Sequence, residues 1–69
     1  MDVILKELLS RKSEIEGMLE TLFEANMKIT NWDVPEADNR KAAEVLIQML
    51  QDKLNQIKVD VDNGKYDYS

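Results

Sequence analysis

Sixty-nine residues make one small domain at most, and a chain of that length buries only about 60% of the surface it exposes when unfolded. It contains neither Cys nor His, which excludes disulfides, the common Cys/His zinc sites, and Ser–His or Cys–His catalysis within one chain. Fourteen acidic residues against nine basic ones leave a net charge of −5, a poor endowment for gripping nucleic-acid phosphates or an anionic membrane surface.

With disulfides and a Cys/His metal site excluded, self-association or a larger partner is the expected source of extra burial. The first element expected is a helix over about 2–27. Asp2 is placed to cap it, with a carboxylate for the unpaired N–H groups of the first turn. At 100° per residue, Ile4, Leu5, Leu8, Ile15, Met18, Leu19, Leu22 and Phe23 share an arc of about 140°. Glu7, Ser10, Glu14, Gly17, Thr21 and Glu24 fall outside it. Lys12 and Asn26 interrupt the apolar stripe. They are read in three ways: as snorkelling or fraying groups, as a buried polar layer that fixes register, or, for Lys12 with Arg11, as part of a ligand site.

A loop is expected over 28–33. Trp32 lies in it, either as a plug over the end of a bundle with Ile29 and Val34, or as an exposed anchor for a partner. Asp33-Val34-Pro35-Glu36 then reads as a helix start, with Asp33 as cap, Glu36 at capping-box spacing and Pro35 in the first turn. The second helix is expected over about 34–61. Its spacing of Ala43, Ile47, Leu50, Leu54, Ile57 and Val61 is that of a left-handed helix pair. Ala42, Val45, Leu46 and Met49 widen the apolar arc to about 200°, more than one neighbouring helix covers. Asn63-Gly64 is a stop signal, followed by a short tail within 62–69. Tyr66 and Tyr68 in that tail pack on Leu5 and Leu8, are disordered, or form a short recognition peptide.

These elements predict an all-α antiparallel two-helix hairpin. A hairpin alone has no interior, so pairing into a dimeric four-helix bundle is expected, and a larger ring satisfies the same pattern. The expected core and oligomer interface comprise Leu5, Leu8, Ile15, Leu19, Leu22, Ala43, Leu46, Ile47, Leu50, Leu54 and Ile57.

Few residues carry chemistry. Glu16, Glu20 and Glu24 repeat every four residues as an acidic ridge, at a small cost in like-charge repulsion. The bland reading is a solvated face, and the functional one is a docking surface for a basic partner. A di-metal carboxylate centre would need Glu-x-x-His pairs, and there is no His. Asp60-Val61-Asp62-Asn63-Gly64 resembles the start of a calcium loop, but its Gly falls one position early and no Glu follows. Two glycines cannot build a phosphate cradle.

A non-enzymatic protein without cofactors is therefore expected, acting as a homo-oligomer on another protein through Glu16, Glu20, Glu24 and Trp32. The alternative is an oligomer that sequesters a nucleotide or other anion at the subunit interface through Arg11, Lys12, Arg40 or Lys41. Nucleic acid and membranes are not expected partners. The run Val45-Leu46-Ile47 is far short of the roughly 20 apolar residues a membrane span needs, and a cytoplasmic setting is expected.

Overall fold

The computed structural model describes residues 2–36 and 38–68. Among these the fold is all-α, with three helices and no strand: α1 (Val3–Ser10), α2 (Lys12–Asp33) and α3 (Asn39–Asp62). The chain divides into two compact units, Met1–Glu36 and Ala37–Ser69.

In the first unit Asp2 caps α1 as its sequence implies. Its backbone is extended, and its Oδ1 accepts the Ile4 N–H at 2.8 Å. The helix expected over 2–27 differs from the observed one at both a break and an end. It breaks at Arg11, whose backbone leaves helical values at φ −108° and ψ 9°. The Ser10 hydroxyl donates to the Glu7 carbonyl at 2.6 Å, and such back-bonding bends helices by drawing a carbonyl out of line. The Arg11 N–H donates to the Leu8 carbonyl at 3.1 Å, tightening the turn before the break.

The second difference is that α2 runs past Met27 to Asp33, so the loop expected over 28–33 is helical. Asn26 and Thr30 fold their polar groups onto the helix. The Asn26 amide donates to the Leu22 carbonyl at 2.8 Å, and the Thr30 hydroxyl donates to the Asn26 carbonyl at 2.9 Å. Nothing breaks the helix until Pro35, which disfavours helical backbone in the residue before it. Val34 accordingly leaves helical values at φ −133° and ψ 74°. Pro35 ends one helix rather than starting the next.

In the second unit the helix expected from Val34 begins at Asn39. Asp38 is the cap: its Oδ1 accepts the N–H groups of Arg40 and Lys41 at 2.9 and 3.3 Å. Asp33 is instead the last residue of α2, and Glu36 lies in a turn, so the expected capping box does not form. Ala37 lies outside the described residues.

α3 ends where Asn63-Gly64 says it should. Gly64 takes φ 83°, its N–H donates to the Val61 carbonyl, and the Lys65 N–H donates to the Asp60 carbonyl, both at 3.0 Å. This is the Schellman pattern, which satisfies two otherwise orphaned carbonyls. The segment expected as a short tail turns through Tyr66 and is irregular at Asp67 and Tyr68, with the Asp67 N–H on the Gly64 carbonyl at 3.1 Å. The Tyr66 and Tyr68 rings meet edge to face at 6.4 Å. Ser69 lies outside the described residues.

No described side chain is fully buried. Of the residues expected in the core, Ala43, Leu46, Leu50 and Ile57 are half-buried, as are Phe23 and Met27. Leu5, Leu8, Ile15, Leu19, Leu22, Ile47 and Leu54 are exposed. The helices themselves are supported locally, by Gln48–Asp52 and Gln56–Asp60 hydrogen bonds and by exposed ion pairs of about 0.3–0.5 kcal/mol each.

Candidate interaction surface

The continuity of α2 to Asp33 creates a surface that a helix ending at Met27 would lack. Ile15, Met18, Leu22, Ala25, Ile29 and Trp32 follow one another at alternating intervals of three and four, so at 100° per residue they line one stripe about 100° wide. All six are exposed, Met18 at 65% and Trp32 at 86%. A shallow depression on this side is lined by Glu14, Gly17, Met18, Thr21 and Leu22. A second apolar flank of the same helix carries Leu19, Phe23, Met27 and Thr30, and the last three of these are half-buried.

Trp32 is therefore not a loop residue. It stands in the last turn of α2, and its ring is nearly bare, which does not fit a plug. Ala25, Ile29 and Trp32 were absent from the expected interface. The signal that could have found them is the three-four rhythm, which continues unbroken from Ile15 through the segment assigned to a loop.

The expected partner surface is on the same helix. Glu16, Glu20 and Glu24 are exposed along α2. Glu16 is engaged by the Lys12 ammonium at 2.9 Å, and among the described residues Glu20 and Glu24 make no ion pair. Glu20 projects from the side of the helix opposite the Ile15–Trp32 stripe.

The four cations expected to contact an anionic ligand are distributed between the two units, Arg11 and Lys12 in the first, Arg40 and Lys41 in the second. Three of them already face carboxylates: Arg11 with Glu14 at 3.6 Å, Lys12 with Glu16 at 2.9 Å, and Arg40 with Glu44 at 3.5 Å. Lys12 and Asn26, the two interruptions of the apolar stripe, are both exposed. Lys12 reaches Glu16 along the helix surface, as a snorkelling side chain does.

Among the described residues no three acidic side chains gather closely enough to hold a metal ion, and no helix is long and apolar enough to cross a membrane. Comparison of the chain with protein-family models, with curated proteins and with solved structures gives no match. The surface is accordingly read from its own chemistry.

Proposed function

We propose that this chain is a non-enzymatic interaction protein that works as a homo-oligomer. In this reading the chain's long helices form an antiparallel hairpin. Two hairpins then close into a four-helix bundle. The observation that carries the reading is the exposed apolar stripe of α2, whose large side chains are each worth about 1–3 kcal/mol when covered. A stripe of this kind is the sort of surface that marks association sites. Glu20 and Glu24 stay on the outer face, with Glu16 beside the Leu19–Met27 flank, available to a basic protein that the oligomer would regulate, inhibit or help to assemble.

The test is thermal unfolding followed at several chain concentrations. Association stabilises the native state by mass action, so the midpoint is expected to climb with concentration. A midpoint independent of concentration overturns the proposal.

An anion-sequestering oligomer is the second reading, and the ion pairs weigh against it. A phosphate at Arg11, Lys12 or Arg40 must compete with Glu14, Glu16 or Glu44 for the same cation. Nucleotide at millimolar concentration is expected to leave the midpoint unchanged.

A further inference from the structure

The exposed stripe of α2 also carries information on which partner it fits and in which direction, given self-association as proposed above. We propose that Ile15, Met18, Leu22, Ala25, Ile29 and Trp32 dock against the same stripe of a second copy of this chain, parallel and in register, as a two-stranded coiled coil.

Three independent features lead there. The first is spacing. Intervals of three and four average 3.5 residues, the period at which a seam stays facing its partner. Ile15, Leu22 and Ile29 take the a positions, and Met18, Ala25 and Trp32 take d. Two of the three a residues, Ile15 and Ile29, are β-branched, a choice that in parallel coiled coils favours two strands. The seam also ends where the helix does. The next d position toward the N-terminus is Arg11, where the backbone breaks, and Pro35 follows α2 at the other end.

The second feature is shape. In a parallel pair each Leu22 enters a hole framed by four residues of the facing helix: Met18, Thr21, Leu22 and Ala25. Met18, Thr21 and Leu22 already line the depression on the surface of α2. Ala25, the fourth side, is small enough to leave the hole open.

The third feature is charge. Glu14, Thr21 and Lys28 flank one side of the seam at g, and Leu19, Asn26 and Asp33 flank the other at e. In a parallel pair each g residue faces the e residue five positions further along the other chain. Lys28 thus faces the partner's Asp33, Thr21 faces the partner's Asn26, and no like charges meet. Among the described residues neither Lys28 nor Asp33 makes an ion pair within its own chain. The antiparallel arrangement sets Lys28 against Thr21 and gives it no carboxylate. It sets Asp33 against Lys12, which Glu16 already engages at 2.9 Å.

The chain has no Cys, so an introduced one is the sole thiol. Met18→Cys, Ala25→Cys and Glu20→Cys are each oxidised gently and followed on non-reducing gels, and the molar mass of each reduced sample is measured by light scattering. The expected result is a dimeric mass for the reduced samples, with Met18→Cys and Ala25→Cys cross-linking at least tenfold faster than Glu20→Cys. A dimeric mass with Met18→Cys no faster than Glu20→Cys overturns the parallel seam and leaves self-association standing. In an antiparallel pair Met18 faces Ile29, about 16 Å along the helix from the partner's Met18 and beyond disulfide reach. There Met18→Cys alone would stay uncross-linked while the double variant Met18→Cys/Ile29→Cys would cross-link, and Ala25→Cys, about 4.5 Å from its copy along the axis, reports contact in either direction. A monomeric mass for the unsubstituted chain overturns both readings. Charge reversal supplies a second readout should a Cys variant lose helicity. Lys28→Glu is expected to raise the dimer Kd at least threefold, and Lys28→Glu/Asp33→Lys to restore it. A double variant no tighter than the single one contradicts the parallel pairing.

Discussion

Lys65 and Asp60 are joined twice at the end of α3. The Lys65 N–H donates to the Asp60 carbonyl at 3.0 Å, and the Lys65 ammonium lies 3.6 Å from the Asp60 carboxylate. The other carboxylate oxygen accepts the Gln56 amide at 3.1 Å. In the Schellman motif these two positions commonly make an apolar contact. Here an ion pair takes its place, with the ammonium also 5.7 Å from the centre of the Tyr66 ring.

That termination depends on Gly64. At φ 83° a side chain is strained, and an added Cβ would stand 3.2 Å from Asp67 Oδ2. Gly64→Ala is expected to lower stability by about 1 kcal/mol, read as a shift in the urea midpoint at fixed chain concentration. Gly64→Asn is expected to lose less, because Asn tolerates left-handed backbone. An unchanged midpoint for Gly64→Ala would mean that the end of α3 is frayed in solution.

Gly17 presents the opposite case. It is inside α2 with helical backbone, and a Cβ there meets nothing within 4 Å. Gly17→Ala is expected to raise stability by about 1 kcal/mol, since only the backbone entropy of glycine is removed. The same urea titration checks it, and a loss would place a neighbour against Gly17.

Asp38 and Glu36 distinguish the two possible starts of α3. Asp38→Ala removes the acceptor for two orphaned N–H groups and is expected to cost about 1 kcal/mol. Glu36→Ala is expected to change stability by less than about 0.5 kcal/mol, as for a surface side chain without a capping bond. The reverse ranking would restore the helix start at Val34.

Ser10→Ala tests the break between α1 and α2. Without the hydroxyl bond to the Glu7 carbonyl, and with the stronger helix former in place, helix is expected to extend through Arg11. The measurement is circular dichroism at 222 nm, where a deeper band is expected. An unchanged band would assign the break to another cause.

Asp2 as cap, Gly64 as stop and the body of α3 were legible in the sequence because each rests on a local rule: an oxygen beside free N–H groups, a residue able to take positive φ, a repeat at helical period. The break at Arg11 was not, because a single serine bond to a carbonyl leaves no pattern in composition or period. The loop expected over 28–33 failed for a different reason. Ile29, Thr30 and Asn31 are weak helix formers, yet the three-four rhythm linking Ala25, Ile29 and Trp32 carries the helical period through them. Pro35 was compatible with a helix start and with a helix end. The choice fell to Asp38, whose carboxylate can reach two N–H groups at once. The apolar stripe of the candidate surface was thus half visible, and Ile29 and Trp32, which complete it, lay in the segment expected as a loop.

The molar mass of the chain in solution, by light scattering over a hundredfold range of concentration, tests self-association most directly. The expected mass is about 16 kDa, twice the 8.0 kDa of one chain, giving way to the monomer on dilution. Leu22→Lys, which places a charge at the middle of the stripe, is expected to hold the mass at that of one chain throughout. A well-folded helical protein that stays at 8.0 kDa at every concentration would contradict the homo-oligomer and, with it, the parallel seam.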